Sequence, residues 1–269
     1  MSEILRCPVC SEKLNITPSG MACGNRHCFD RAKEGYVNLL RGNRPGSERG
    51  DSREMALSRR AFLNRGYYEP LADAVAGVLA ENTAAGGHIL DICCGEGYYT
   101  EKLCRSLPDR KYLGFDISRE MVRLGAKRKC GAEFFVANLG DIPLGDGSVD
   151  GAVHIFAPFN SSEFSRILKP DGCLLSVFPG RDHLMGLKRR LYEVPYPNDE
   201  SGPETGDLVV KDRIRVKYEA ELTSAEDIFA LFQMTPYYFK TGLAAAEKLK
   251  SLNTLKTEID FIILLCKKA

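Results

Sequence analysis

The chain has 269 residues, of which 44% are hydrophobic and 27% charged, and its net charge is +1. That length suffices for one large domain and a small appendage, and no apolar run approaches the roughly 18 residues that span a bilayer, so a membrane helix is excluded. The balanced total hides an asymmetry: residues 1–66 hold twelve Lys/Arg against seven Asp/Glu, an excess of +5, which leaves −4 for the remainder.

The opening MSEILRC has no basic stretch followed by an apolar one. A secretory leader is therefore not expected, and a cytoplasmic location with reduced thiols is. Four of the ten cysteines fall within residues 7–30. Cys7-Pro-Val-Cys10 is a Cys-x2-Cys knuckle, and Cys23-x3-His27 follows twelve residues later. In a reduced compartment such a cluster points to a metal, and two knuckles at this spacing can close a tetrahedron around Zn(2+). The candidate ligands are Cys7, Cys10, Cys23 and His27, with Cys28 as an alternative to His27 for the fourth position. Four protein ligands leave no open position, so the zinc is expected to be structural. Residues 1–40 thus read as a zinc-binding module that needs its metal to fold.

Residues 41–66 read as a basic linker followed by a helix. RGNRPGSERGDS (41–52) has no apolar period, and Asp51 or Ser52 caps a helix that runs to the Gly66 stop. The basic residues Arg26, Arg31, Lys33, Arg41, Arg44, Arg49, Arg53, Arg59 and Arg60 crowd this front end and fit a polyanionic partner.

PLADAVAGVLAENT (70–83) reads as a second helix. From there strands and helices alternate. HILDI (88–92), KYLGFDI (111–117), EFFVAN (133–138), VDGAVHIF (149–156) and CLLSVFP (173–179) read as strands. The segments beginning at Tyr98, Arg119 and Ser161 read as helices. The end reads as two strands around a helix, RIRVKYEAEL, SAEDIFALFQ and EIDFIILLCKK. This alternation predicts an α/β fold over residues 67–269, a doubly wound parallel sheet.

In such sheets ligands sit at the carboxyl ends of the strands, beside the first strand–helix turn. That turn is Asp91-Ile-Cys-Cys-Gly95-Glu96-Gly97. The third glycine of a dinucleotide fingerprint is replaced by Thr100, and the carboxylates of Asp91 and Glu96 would repel a pyrophosphate. They would attract the ammonium and sulfonium of S-adenosyl-L-methionine instead. Asp116, at the end of the second strand, can accept ribose hydroxyls, and Asn138, ending the third, can bracket the adenine.

With these residues in view the sequence resembles the RlmA family of 23S ribosomal RNA guanine-N1 methyltransferases. The shared stretches include CPVC with Cys23 and His27, AKEGYVNLL (32–40), GDSREM (50–55), RRAFL with GYYEPL (59–71), LDICCGEGYYT (90–100), IFAPF (155–159), PGRDHLM (179–185) and LFQMTP (231–236). The resemblance implies a class I, Rossmann-like methyltransferase domain and a zinc module that helps to recognise a domain II hairpin of 23S rRNA. It also implies a homodimer. It places zinc on Cys7, Cys10, Cys23 and His27 and S-adenosyl-L-methionine against Tyr68, Gly95, Glu96 and His183. Cys93 stands where relatives carry glycine.

The target N1 lies on the Watson–Crick edge and carries a proton, so the base must leave its stack and the site must take the proton up. Candidate walls are Phe156 and Phe159, with carbonyls near Pro158 to hold the proton; no general base is identified, Asp51 and His154 being the only candidates. The rival readings are a tRNA or small-molecule methyltransferase, and a non-catalytic zinc-containing RNA-binding protein. Deleting residues 1–50 is expected to leave cofactor binding largely intact and to abolish methylation of the hairpin.

Overall fold

A computed structural model describes residues 3–41 and 53–269. Near the amino terminus, β1 (Asn15–Ile16), β2 (Gly20–Ala22) and β3 (Cys28–Asp30) form a small antiparallel sheet. The next strand, β4 (Val37–Asn38), leaves that sheet and pairs in parallel with β7 (Glu133–Val136).

The large sheet completes itself from β5 (His88–Ile92), β6 (Lys111–Asp116), β8 (Val149–Ile155), β9 (Leu168–Pro179), β10 (Leu208–Leu222) and β11 (Leu255–Lys268). Its order is β10-β11-β9-β8-β5-β6-β7-β4. All neighbours from β9 to β4 are parallel, whereas β11 lies antiparallel between β9 and β10. The chain runs outward from β5 through β6 and β7, then returns to the other side with β8. The crevice between β5 and β8 is therefore the switch point at which such sheets bind ligands.

Side-chain alternation divides the core into two layers. Ile89 and Val153 face one layer with Phe62, Leu71, Val75 and Phe232. Leu90 and Ile92 face the other with Phe115, Phe135 and Phe164. Leu5, Leu14, Met21 and Leu39 of the leading segment belong to this second layer. Backbone bonds seal the junction: Leu39 N donates to Val136 O at 2.8 Å, Arg6 N to Pro143 O at 2.9 Å and Gly145 N to Ile4 O at 3.1 Å.

The helices are α1 (Arg53–Asn64), α2 (Glu69–Asn82), α3 (Tyr98–Ser106), α4 (Arg119–Ala126), α5 (Ser161–Ile167), α6 (Met185–Leu191), α7 (Ala225–Gln233), α8 (Tyr237–Lys240) and α9 (Leu243–Lys250). Each expected helix and strand is present, with ends shifted by a few residues. Three short helices, α6, α8 and α9, escape a reading by periodicity because at four to eight residues they span barely two turns. The third strand of the alternating series is shorter than expected: β7 stops at Val136, and Asn138 lies beyond it in a turn. The cap at Asp51 or Ser52 falls outside the described residues. Among the described residues no helix is long and apolar enough to cross a membrane.

Candidate functional site

Two tight turns build the first cluster. In one, Ser11 N donates to Cys7 O at 2.8 Å and Ser11 adopts a φ of +62°. In the other, Arg26 N donates to Cys23 O at 3.1 Å and Arg26 adopts a φ of +65°. These reversals turn four soft ligand atoms toward one point. Cys23 Sγ lies 3.3 Å from His27 Nδ1, Cys7 Sγ lies 3.6 Å from the same nitrogen, and Cys10 Sγ lies 3.6 Å from Cys23 Sγ. All four atoms fall within 4.8 Å of one another. A zinc tetrahedron with bonds of about 2.3 Å has edges of about 3.8 Å, so the donor set fits that ion. Cys28 is exposed and its thiol turns to Arg26 O at 3.6 Å, outside the cluster.

A second site opens at the carboxyl end of β5, a cleft walled by the loop after β5, by α1 and by the end of β8. The loop after β5 reverses direction through left-handed residues, with φ of +55° at Cys93, +55° at Gly95 and +80° at Gly97. Cys93 occupies such a conformation at a cost of about 1–2 kcal/mol that a glycine would avoid. A Cβ on Gly95 would meet nothing within 4 Å, so the cleft floor is open there. Gly97 does not line the cleft; a Cβ on it would come within 3.0 Å of Gly125 Cα and 3.2 Å of Phe134 Cζ. Its role is the close packing of α3.

The cleft is acidic. Asp91 is buried and accepts a hydrogen bond from Thr100 Oγ1 at 2.5 Å. Burial pushes its carboxyl up to about 7, against the lowering effect of Thr100. Glu96 is 1% exposed and its carboxyl is also raised by burial, opposed by Arg128. Arg128 pairs with Glu96 Oε2 and with Glu101, and its Nε donates to Glu96 O at 2.9 Å. Among the described residues Glu96 Oε1 is buried without a hydrogen-bond partner, as are Tyr98 Oη and Tyr99 Oη. All three residues line the cleft. Two buried carboxyl groups, one with an unused oxygen, thus line the cleft together with Arg59.

Of the candidate cofactor residues, Tyr68, Asp91, Gly95 and Glu96 line this cleft together. Asp116 reaches it through the backbone, its Oδ2 accepting from Gly95 N at 3.1 Å and its Oδ1 from Ser118 N at 2.9 Å. Asn138 is exposed and its Oδ1 accepts from Gly140 N at 2.9 Å, so its side chain serves a turn. His183 stands behind Tyr68, with Nε2 at 3.4 Å from Tyr68 Oη and Nδ1 accepting from Asp260 N at 3.3 Å.

His154 is no candidate base. It is 3% exposed, with Nδ1 at 3.1 Å from Ser176 Oγ and Nε2 at 3.0 Å from Pro158 O, so that carbonyl is engaged as well. Asp51 lies outside the described residues. Sequence reasoning missed Arg59, Leu63, Tyr98, Tyr99 and Met234, which also line the cleft, and Arg128 behind it. The first and last of the wall residues come from α1 and from just past α7, which nothing local in sequence joins to β5.

A family model described as "RlmA, N-terminal" matches residues 5–47, and one described as "Methyltransferase domain" matches residues 89–172. The chain is 39% identical to a 23S rRNA (guanine(748)-N(1))-methyltransferase of Streptomyces fradiae, over 68% of this chain and 66% of that one. It is 35% identical to a protein of Micromonospora griseorubida named "Putative 23S rRNA (guanine-N(1)-)-methyltransferase", over 70% and 69% of the two chains. A Bacillus subtilis (strain 168) protein of the same name with the suffix YxjB is 29% identical over 99% of this chain and 98% of its own. The match thus spans about two thirds of the first two relatives and almost all of the third. This chain belongs to the family of 23S rRNA (guanine-N1)-methyltransferases.

Proposed function

We propose that this enzyme transfers the methyl group of S-adenosyl-L-methionine to N1 of a guanine in a domain II hairpin of 23S rRNA. The observation that carries the reading is the cleft at the carboxyl end of β5, which Asp91 and Glu96 line beside tyrosine hydroxyls that have no partner among the described residues. Bound there, the cofactor supplies an electrophilic methyl on a sulfonium. Asp91 and Glu96 balance its positive charges, Gly95 leaves room for it, and Asp116 accepts from its ribose. Gly97 acts indirectly by seating α3, His183 by holding Tyr68, and Asn138 by shaping the turn beside the adenine.

Guanine N1 is a weak nucleophile while it holds its proton, so the cleft must stabilise charge that builds on O6. Arg59 lines the cleft and supplies positive charge there. Transfer is an in-line displacement, and rate comes chiefly from holding nucleophile and methyl in register.

The zinc ion is assigned a structural role on Cys7, Cys10, Cys23 and His27. The module it holds, with its basic residues, would read the rRNA backbone. Arg41 is partly committed elsewhere, since it pairs with Asp141 at 3.1 Å and donates to Pro8 O. Arg44 and Arg49 lie outside the described residues. An rRNA substrate supports a cytoplasmic location; a homodimer is supported by family resemblance alone.

A methyl on N1 blocks Watson–Crick pairing and arrests reverse transcriptase, so the product can be read directly. Purified protein should create one new stop in a 23S rRNA hairpin, and a deletion strain should lose the matching stop. Identical stops in deletion and parent strains would remove this substrate.

A further inference from the structure

Beyond the residues assigned to the cofactor, one wall of the cleft is shaped for something flat. In the parallel pair β5–β8, Ile92 stands opposite His154, and Phe156 follows directly on the end of β8 at Ile155. Phe156 lines the same cleft as Asp91, Gly95 and Glu96. Its φ is +55°, an outlying conformation for a bulky side chain. Such strain persists only where the surroundings enforce it, and it gathers at functional sites. Here Phe156 N is pinned to Val177 O at 3.1 Å.

The ring is braced on the inside. Its centroid lies 5.3 Å from that of the fully buried Phe261 and 6.4 Å from that of His183, nearly parallel to the latter at 20°. Yet Phe156 keeps 42% of its surface exposed. Val9, Ile16, Leu57, Val194 and Phe239 are exposed as well, but none of these lines the cleft. Phe159, the other aromatic of the segment, sits edge-on to His154 at 5.5 Å and to Phe164 at 4.9 Å, and is used in the core.

We propose that Phe156 is the stacking platform on which the target base rests while its ring nitrogen faces the methyl group. A base withdrawn from RNA loses its stacking neighbours, and enzymes that act on single bases replace them with aromatic or apolar side chains. A rigid aromatic plane beside the cofactor loop meets that need. Stacking accepts any base, so Phe156 supplies position, and guanine identity must be read by other groups. This inference rests on the function proposed above.

The test compares wild type with Phe156→Leu, Phe156→Tyr and Phe156→Trp. Calorimetry measures S-adenosyl-L-methionine binding, thermal unfolding reports folding, and single-turnover transfer to the 23S rRNA hairpin reports chemistry. Phe156→Leu, which keeps an apolar contact to Phe261, should bind cofactor and melt like wild type while methylating at least about tenfold more slowly. Tyr or Trp, which retain an aromatic plane, should restore most of the rate. Transfer by the Leu variant at the wild-type rate, or a loss that simply tracks weakened cofactor binding, overturns the inference and leaves the function standing. Failure of the wild type to methylate the hairpin overturns both.

Discussion

Tyr68 Oη lies 3.4 Å from Nε2 of His183, and the opposite ring nitrogen of that histidine accepts from Asp260 N at 3.3 Å. Because Nδ1 is an acceptor, the neutral ring carries its hydrogen on Nε2 and donates it to Tyr68. Burial lowers His183 to about 3, so it stays neutral across the physiological range. The hydroxyl hydrogen of Tyr68 is then left to donate toward the cleft it lines. Asp260 is itself anchored, fully buried and held by both Arg215 Nε at 2.8 Å and Nη2 at 2.6 Å.

Tyr68→Phe should therefore weaken S-adenosyl-L-methionine binding by about 1 kcal/mol, the usual worth of one hydrogen bond, and should cost about 1–3 kcal/mol of stability because the buried Nε2–H of His183 loses its acceptor. His183→Leu should weaken it by a similar amount, and the double variant by no more than either single one. Additive losses in titration calorimetry would show that the two side chains act separately.

Asp91 gives the cleft a pH dependence. Its folded carboxyl, pushed up to about 7, holds a proton more tightly than the unfolded chain does. Its contribution to stability is therefore present at low pH and lost as pH rises through about 7. A cationic ligand favours the charged form, so binding should release a proton below that pH, and affinity should fall as the solution is acidified. Calorimetry in buffers of different ionisation enthalpy measures the released proton. Asp91→Asn should bind far more weakly, lose this pH dependence, and at pH 8 be at least as stable as wild type.

Arg128 and Glu96 form a pair with side chains only 4% and 1% exposed. Removing one partner strands the other charge away from water, which costs about 3–5 kcal/mol. Arg128→Met should lose roughly that much stability and should also weaken cofactor binding, because Glu96 would no longer be held with Oε1 toward the cleft. Arg128→Lys should recover little, since an ammonium cannot span Glu96 and Glu101 as the guanidinium fork does. Chemical denaturation and calorimetry on both variants test the point; full recovery by lysine would refute the geometric argument.

The zinc cluster should prove coupled to the cofactor domain. Purified protein should hold about one zinc per chain, and Cys28→Ser should leave that content unchanged. Cys7→Ser should lose the metal. Because β4 pairs with β7 and Leu5, Leu14, Met21 and Leu39 of the leading segment, among others, belong to the core of the large sheet, the loss should spread. Hydrogen exchange should rise across residues 133–138, and cofactor binding should weaken. This differs from the independence expected of separate halves: deleting residues 1–50 would strip the sheet edge and expose Leu113, Phe135 and their neighbours. A truncated protein that binds S-adenosyl-L-methionine as tightly as the full chain would overturn the coupling.

The sequence alone determined whatever depends on near neighbours. The two knuckles were legible because a turn of five residues or fewer brings its own ligands together, and Asp91 to Gly97 because a strand, a tight loop and a helix follow one another without a break. The strand–helix rhythm likewise revealed the doubly wound sheet, since burial on a period of two or of 3.6 is a local property. The tertiary structure decided what depends on distant partners. His183 meets Tyr68 across 115 residues and Arg128 meets Glu96 across 32, and no spacing rule links such pairs. Phe156 and Phe159 are equivalent as sequence; the positive φ at Phe156 turns one toward the cleft while the other packs in the core. Asn138 ends a run that reads as strand, yet the ladder stops at Val136 and its amide caps a turn. Val37 and Asn38 read as part of a small separate module, but two residues are too few to declare a partner. Only the open edge of β7, with its unpaired backbone groups, made them the eighth strand of the sheet.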